Sequence, residues 1–79
     1  MENKVVIITG ASSGIGEACV LEFFKRNASL VLVARTEAKL VQLSNYINKS
    51  GGSAIYVVAD ISKESDCSHV IDKAMSHFS

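Results

Sequence analysis

The sequence has 79 residues, 48% hydrophobic and 20% charged, with no proline; that is about half of an ordinary domain, and its stability is expected to be marginal without staples. Eight basic residues balance eight acidic ones, which gives no electrostatic ground for binding nucleic acid or an anionic membrane. No apolar run approaches the length of a membrane span and the residues before Thr9 are too few for a secretory-signal core, so a soluble protein in the reducing cytoplasm is expected.

Val5-Val6-Ile7-Ile8 is short, apolar and β-branched, as in a strand buried on both faces of a parallel sheet. Thr9-Gly10-Ala11-Ser12-Ser13-Gly14-Ile15-Gly16 follows, and a helical run begins in it. The glycines therefore fall on a strand-to-helix turn. Gly10 lets the chain bend sharply out of the strand, Gly14 lets a ligand approach the backbone, and Gly16 lets the helix pack close to the strand. The unpaired N–H groups and positive dipole end of such a helix make a site for a phosphate or pyrophosphate, to which Ser12 and Ser13 would add hydroxyl donors. A nucleoside-triphosphate P-loop would need Gly-Lys followed by Ser or Thr, whereas here Gly14 precedes Ile15 and Gly16 precedes Glu17. ATP or GTP hydrolysis is therefore disfavoured.

From Ile15 to about Asn27 the pattern is helical, with Ile15, Ala18, Cys19, Leu21, Phe23 and Phe24 on a broad apolar face. Ser29 to Ala34 is a second buried strand. Thr36 is the expected N-cap of a second helix running to about Lys49, striped by Leu40, Leu43 and Ile47 and closed by Ser50-Gly51-Gly52. Ala54 to Ala59 is a third strand, and Ser62 is the expected N-cap of a last helix whose stripe is Cys67, Val70, Ile71, Ala74, Met75 and Phe78. Cys19 and Cys67 have no metal-type spacing and are expected to be core or half-core residues. His69 and His77 lie two turns apart, too far to share a metal.

The order β-α-β-α-β-α predicts an α/β unit with a three-stranded parallel sheet in the order 3-2-1. The first two helices would lie on one face and the third on the other. The first strand then lacks a neighbour on one side. That edge could pair with a complementary chain or with a second copy.

The loop matches, at every fixed position, the T-G-x-x-x-G-I-G of the short-chain dehydrogenase/reductase family, which this chain resembles from Lys4 to Phe78. The resemblance implies half of a Rossmann-type fold, a partial NAD(P)-binding domain over residues 1–79, and a dinucleotide cofactor. In such a unit the residue just after the second strand reaches the adenosine ribose, where an acid favours NAD and a base NADP. Arg35 stands there with no acid beside it, which favours NADP over NAD unless Arg35 is simply a solvated charge; Glu37 is close enough to offset it. Asp60-Ile61 resembles the family's acid-hydrophobe pair, whose carboxylate accepts from the adenine amino group while the next N–H faces the ring. Asp60 could instead be a turn or capping residue.

The cofactor-binding residues expected from these arguments are Thr9, Gly10, Ser12, Ser13, Gly14, Ile15, Gly16, Arg35, Asp60 and Ile61. No metal ligand and no catalytic residue is expected. The family's catalytic Tyr-x-x-x-Lys is missing: Ser50 stands four residues after Tyr46, and Asp60 four after Tyr56. The expected function is the amino-terminal cofactor-binding portion of an oxidoreductase, unable to catalyse alone. The alternative is a small non-catalytic protein that binds a nucleotide or another subunit.

Overall fold

The computed structural model describes residues 4–78. Six elements alternate along the chain: β1 (Val5–Thr9), α1 (Gly14–Lys25), β2 (Ser29–Ala34), α2 (Glu37–Lys49), β3 (Ser53–Val58) and α3 (Glu64–Phe78). The strands are parallel, with β2 in the centre, so the expected 3-2-1 order is present. Val5 pairs in register with Ser29, and Ser29 with Ser53, which brings the three carboxyl ends to one side of the sheet.

Why β2 is apolar throughout is visible in its surroundings. Leu30, Leu32 and Ala34 pack with Val20 of α1 and Leu40, Leu43 and Ile47 of α2 on one face. Val31 and Val33 pack with Val57, Val70 and Ala74 on the α3 face. A strand covered on both sides has no polar alternation to display.

β3 runs one residue earlier than expected, at Ser53–Val58, and further boundary differences lie at helix ends. α1 stops two residues before the predicted end because Asn27 takes φ 62°, a left-handed conformation that Asn tolerates better than most residues. Its N–H donates to Phe24 O and that of Ala28 to Phe23 O, a Schellman ending made without glycine. α2 ends as expected, and the Asn48 side chain then bonds both the N–H and the carbonyl of Ala54, each at 2.9 Å. Thr36 occupies the N-cap position of α2 but makes no side-chain capping bond. Ser62 is not the cap of α3, which starts at Glu64; its hydroxyl donates to Asp60 Oδ1 instead. Cys19 and Ile15, expected on the apolar face of α1, are both exposed.

Candidate functional site

The site begins where β1 ends. Gly10 has φ 65°, which turns the chain away from the sheet, and Ala11 N–H still donates to Val33 O, tying the turn to β2. Ser13 caps α1: its hydroxyl accepts from Gly16 N–H at 3.1 Å and donates to the Gly10 carbonyl at 2.8 Å. Ser13 thus spends its proton on the loop itself. Gly16 lies so close to the strand exit that an added Cβ would overlap the Gly10 carbonyl oxygen and sit 2.7 Å from its carbon. At Gly14 a Cβ would meet nothing within 4 Å. Packing therefore requires glycine at position 16, whereas any requirement at 14 must come from outside the chain.

Glu17 N–H bonds Ser13 O, which leaves the N–H groups of Gly14 and Ile15 without an acceptor among the described residues. They stand at the positive end of α1. An anion seated there would meet two free donors and no side chain at Gly14.

An open cleft of about 550 Å³ runs along the carboxyl ends of the three strands. Of the ten predicted residues, Thr9, Gly10, Ser12, Ser13, Arg35, Asp60 and Ile61 line it. Gly14, Ile15 and Gly16 do not, because they lie in the first turn of α1. Thr36 and Ser62, read from the sequence as caps, line the cleft as well.

Arg35 is exposed on the cleft wall, with no carboxylate at salt-bridge distance among the described residues. Glu37 is turned toward the Tyr56 hydroxyl, 3.4 Å away, and does not pair with Arg35. Opposite, Asp60 Oδ1 accepts from both the hydroxyl and the N–H of Ser62, at 2.7 and 3.0 Å. These two bonds, the hydroxyl first, hold the Asp60 carboxyl below its ordinary range; desolvation opposes them, and Arg35 and then Lys63 add weaker pulls downward. The turn role considered for Asp60 is therefore real, yet it uses one oxygen only. Oδ2 has no partner among the described residues.

Neither tyrosine faces the cleft: Tyr46 sits edge-on to Phe24 with ring centroids 6.1 Å apart, and Tyr56 meets Glu37. Among the described residues no group of three or more His, Cys, Asp or Glu could hold a metal ion, and no helix is long and apolar enough to cross a membrane. Both cysteines are free.

A sequence model of the short chain dehydrogenase family matches residues 4–79. The 11-beta-hydroxysteroid dehydrogenase-like 5 of Arabidopsis thaliana is 47% identical over 79 residues, which is 99% of this chain and 20% of that protein. The L-sorbose reductase of Gluconobacter frateurii, solved with NADPH and L-sorbose, superposes with a TM-score of 0.89 at 34% identity over 95% of this chain and 29% of its own. A short chain dehydrogenase/reductase of Burkholderia phymatum, solved with NAD, superposes with a TM-score of 0.91 at 31% identity, covering 95% of this chain and 27% of its own. The chain thus spans between about a fifth and a third of the length of these relatives.

Proposed function

This chain belongs to the short chain dehydrogenase family, and from that premise we propose that it is the amino-terminal, NADP(H)-binding part of an oxidoreductase that reduces a carbonyl or oxidises an alcohol. The observation that carries this reading is a cleft lined by the glycine turn and by Arg35, which has no carboxylate partner among the described residues, with the free Gly14 and Ile15 N–H groups next in the chain after the cleft-lining Ser13. A dinucleotide fits that pairing. Its pyrophosphate would take the α1 end, and the 2′-phosphate of NADP would take the planar, permanently charged guanidinium. Ser12 lines the same cleft as a further donor. Asp60 Oδ2 and the Ile61 N–H would meet the adenine.

The nicotinamide, when bound, supplies the hydride chemistry. The residues of this chain hold and orient the adenosine-diphosphate half. Neither tyrosine stands in a Tyr-x-x-x-Lys spacing, so the chain alone binds without turnover.

The outer edge of β1 favours a partnership besides. Val5 and Ile7 are 44% and 40% exposed and share an apolar groove with Ile71 and Met75 of α3. We read this as the place where a complementary strand, from a further segment or another copy, completes the sheet. Without such completion the chain would act only as a small nucleotide-binding or subunit-interaction protein.

Gly14→Val tests the site. Because nothing in the fold lies within 4 Å of the new Cβ, the variant should keep its circular dichroism spectrum and lose NADPH affinity by about tenfold or more. Unchanged affinity in a folded variant would refute the assignment.

A further inference from the structure

α3 begins at Glu64, so Asp66 is its third residue. An acid at that position ordinarily reaches back to the N–H immediately before the helix. Asp66 reaches further: its Oδ2 accepts from the N–H of Asp60, six residues earlier, at 2.8 Å. That N–H lies just past the point where sheet bonding runs out, since Ala59 N–H still donates to Ala34 O. Asp66 thus supplies the acceptor that β2 no longer provides. The next residue makes a second tie, the Cys67 thiol standing 3.1 Å from the Ile61 carbonyl as a weak donor. One turn of α3 therefore holds both backbone ends of the Asp60-Ile61 pair.

We propose that Asp66 is a positioning residue for adenine recognition, acting through the backbone of Asp60; this rests on the nucleotide-binding reading above. With Oδ1 held by Ser62 and the backbone held by Asp66 and Cys67, the pair presents two unpartnered groups, the Asp60 Oδ2 acceptor and the Ile61 N–H donor. An acceptor beside a donor is the complement of an amino group beside a ring nitrogen, which is what adenine offers and hypoxanthine does not. Asp66 is half-buried and does not line the cleft, so its influence on a ligand is through the turn.

The test compares the dissociation constants of ADP and IDP, measured calorimetrically on the full 79-residue chain. The wild type should favour ADP by about tenfold, the worth of a hydrogen bond to a charged group. Asp66→Ala should bring the ratio toward one, mainly by weakening ADP. Asp66→Asn, which keeps a side-chain oxygen, should hold it near the wild-type value. Asp66→Glu retains charge and helix preference while displacing the oxygen, and should also lower the ratio, so the proposal remains testable if the Ala variant does not fold. A merely structural role would reduce the folded fraction seen by both nucleotides and leave the ratio unmoved. Full discrimination in folded Ala or Glu variants, or its loss in the Asn variant, overturns the role of Asp66. Equal binding of ADP and IDP by the wild type overturns the adenine role and this proposal while leaving phosphate binding in place; binding of neither overturns the nucleotide reading itself.

Discussion

Gly16→Ala should destabilise the fold although it places a better helix former in a helix. The added methyl would overlap the Gly10 carbonyl oxygen, lie 2.7 Å from Gly10 C and 3.0 Å from Ala11 Cα, and all three are backbone atoms of a turn anchored to β2. Relief requires α1 to move away from the strand, at about 1–3 kcal/mol for overpacking. The same movement stretches the Gly16 N–H to Ser13 Oγ bond, whose loss as a cap is worth about 1 kcal/mol. Against this stands at most about 1 kcal/mol of helix propensity gained over glycine. The net cost is about 2 kcal/mol, or roughly 8–16 °C in Tm for a chain of this length. Gly14→Ala is the internal control, because nothing lies within 4 Å of its methyl. Thermal melts followed by circular dichroism should show Gly16→Ala well below wild type and Gly14→Ala beside it. A Gly16→Ala variant melting at or above wild type would refute the close-approach argument.

Two further changes probe other parts of the cleft. Arg35→Asp should shift preference from NADPH toward NADH; an equal loss for both cofactors, measured by fluorescence titration, would remove the 2′-phosphate contact from the account. Ser62→Ala takes away the strongest influence holding the Asp60 carboxyl down, so its pKa should rise toward the ordinary 3.8 when followed by carbon-detected NMR titration. Because the folded-state value is depressed, the stabilisation linked to it is present above the ordinary carboxylate range and lost as pH falls through the folded pKa. In Ser62→Ala the gap between folded and unfolded values narrows, so that acid-side loss should shrink.

The alternation of elements was legible because each carries its own period: β2 is uniformly apolar, and Leu40, Leu43 and Ile47 recur on one face of α2. The glycine loop was legible because Gly10 and Gly16 answer to local geometry, a left-handed φ and a close approach. What escaped was settled by tertiary neighbours. Nothing local says that Asn27 will end α1 in a left-handed turn, or that Asp66 will bypass Lys63 and bond the N–H of Asp60. Ser62 has the composition of a cap, yet Asp60 two residues earlier competes successfully for its hydroxyl. Glu37 lay within sequence reach of Arg35 but found Tyr56, 19 residues away.

The two ends of the cleft rest on unequal foundations, and this should appear in hydrogen exchange. Its glycine-loop end hangs from Ala11, which is fully buried in a cluster that joins β1 and β2 to both α1 and α2. Its Asp60 end hangs from the first turn of α3, which fully buries Val70 and Ala74 against the sheet, with Phe78 partly buried beside them. On that side Ile71 and Met75 remain 54% and 61% exposed, next to the uncovered Val5 and Ile7. Burial of a large apolar side chain stabilises by about 1.5–3 kcal/mol, so α3 forgoes several kcal/mol that α2 collects. Amides of α3 and of Asp60 should therefore exchange through local opening, well ahead of those in β2 and α2. Covering Ile71 and Met75, by a further strand or a second copy, should protect α3 first and, through Asp66, the Asp60 end of the cleft, leaving the glycine loop as it was. Uniform exchange across all six elements would mean that α3 is held as firmly as the rest, and the asymmetry between the two faces would carry no consequence for the site.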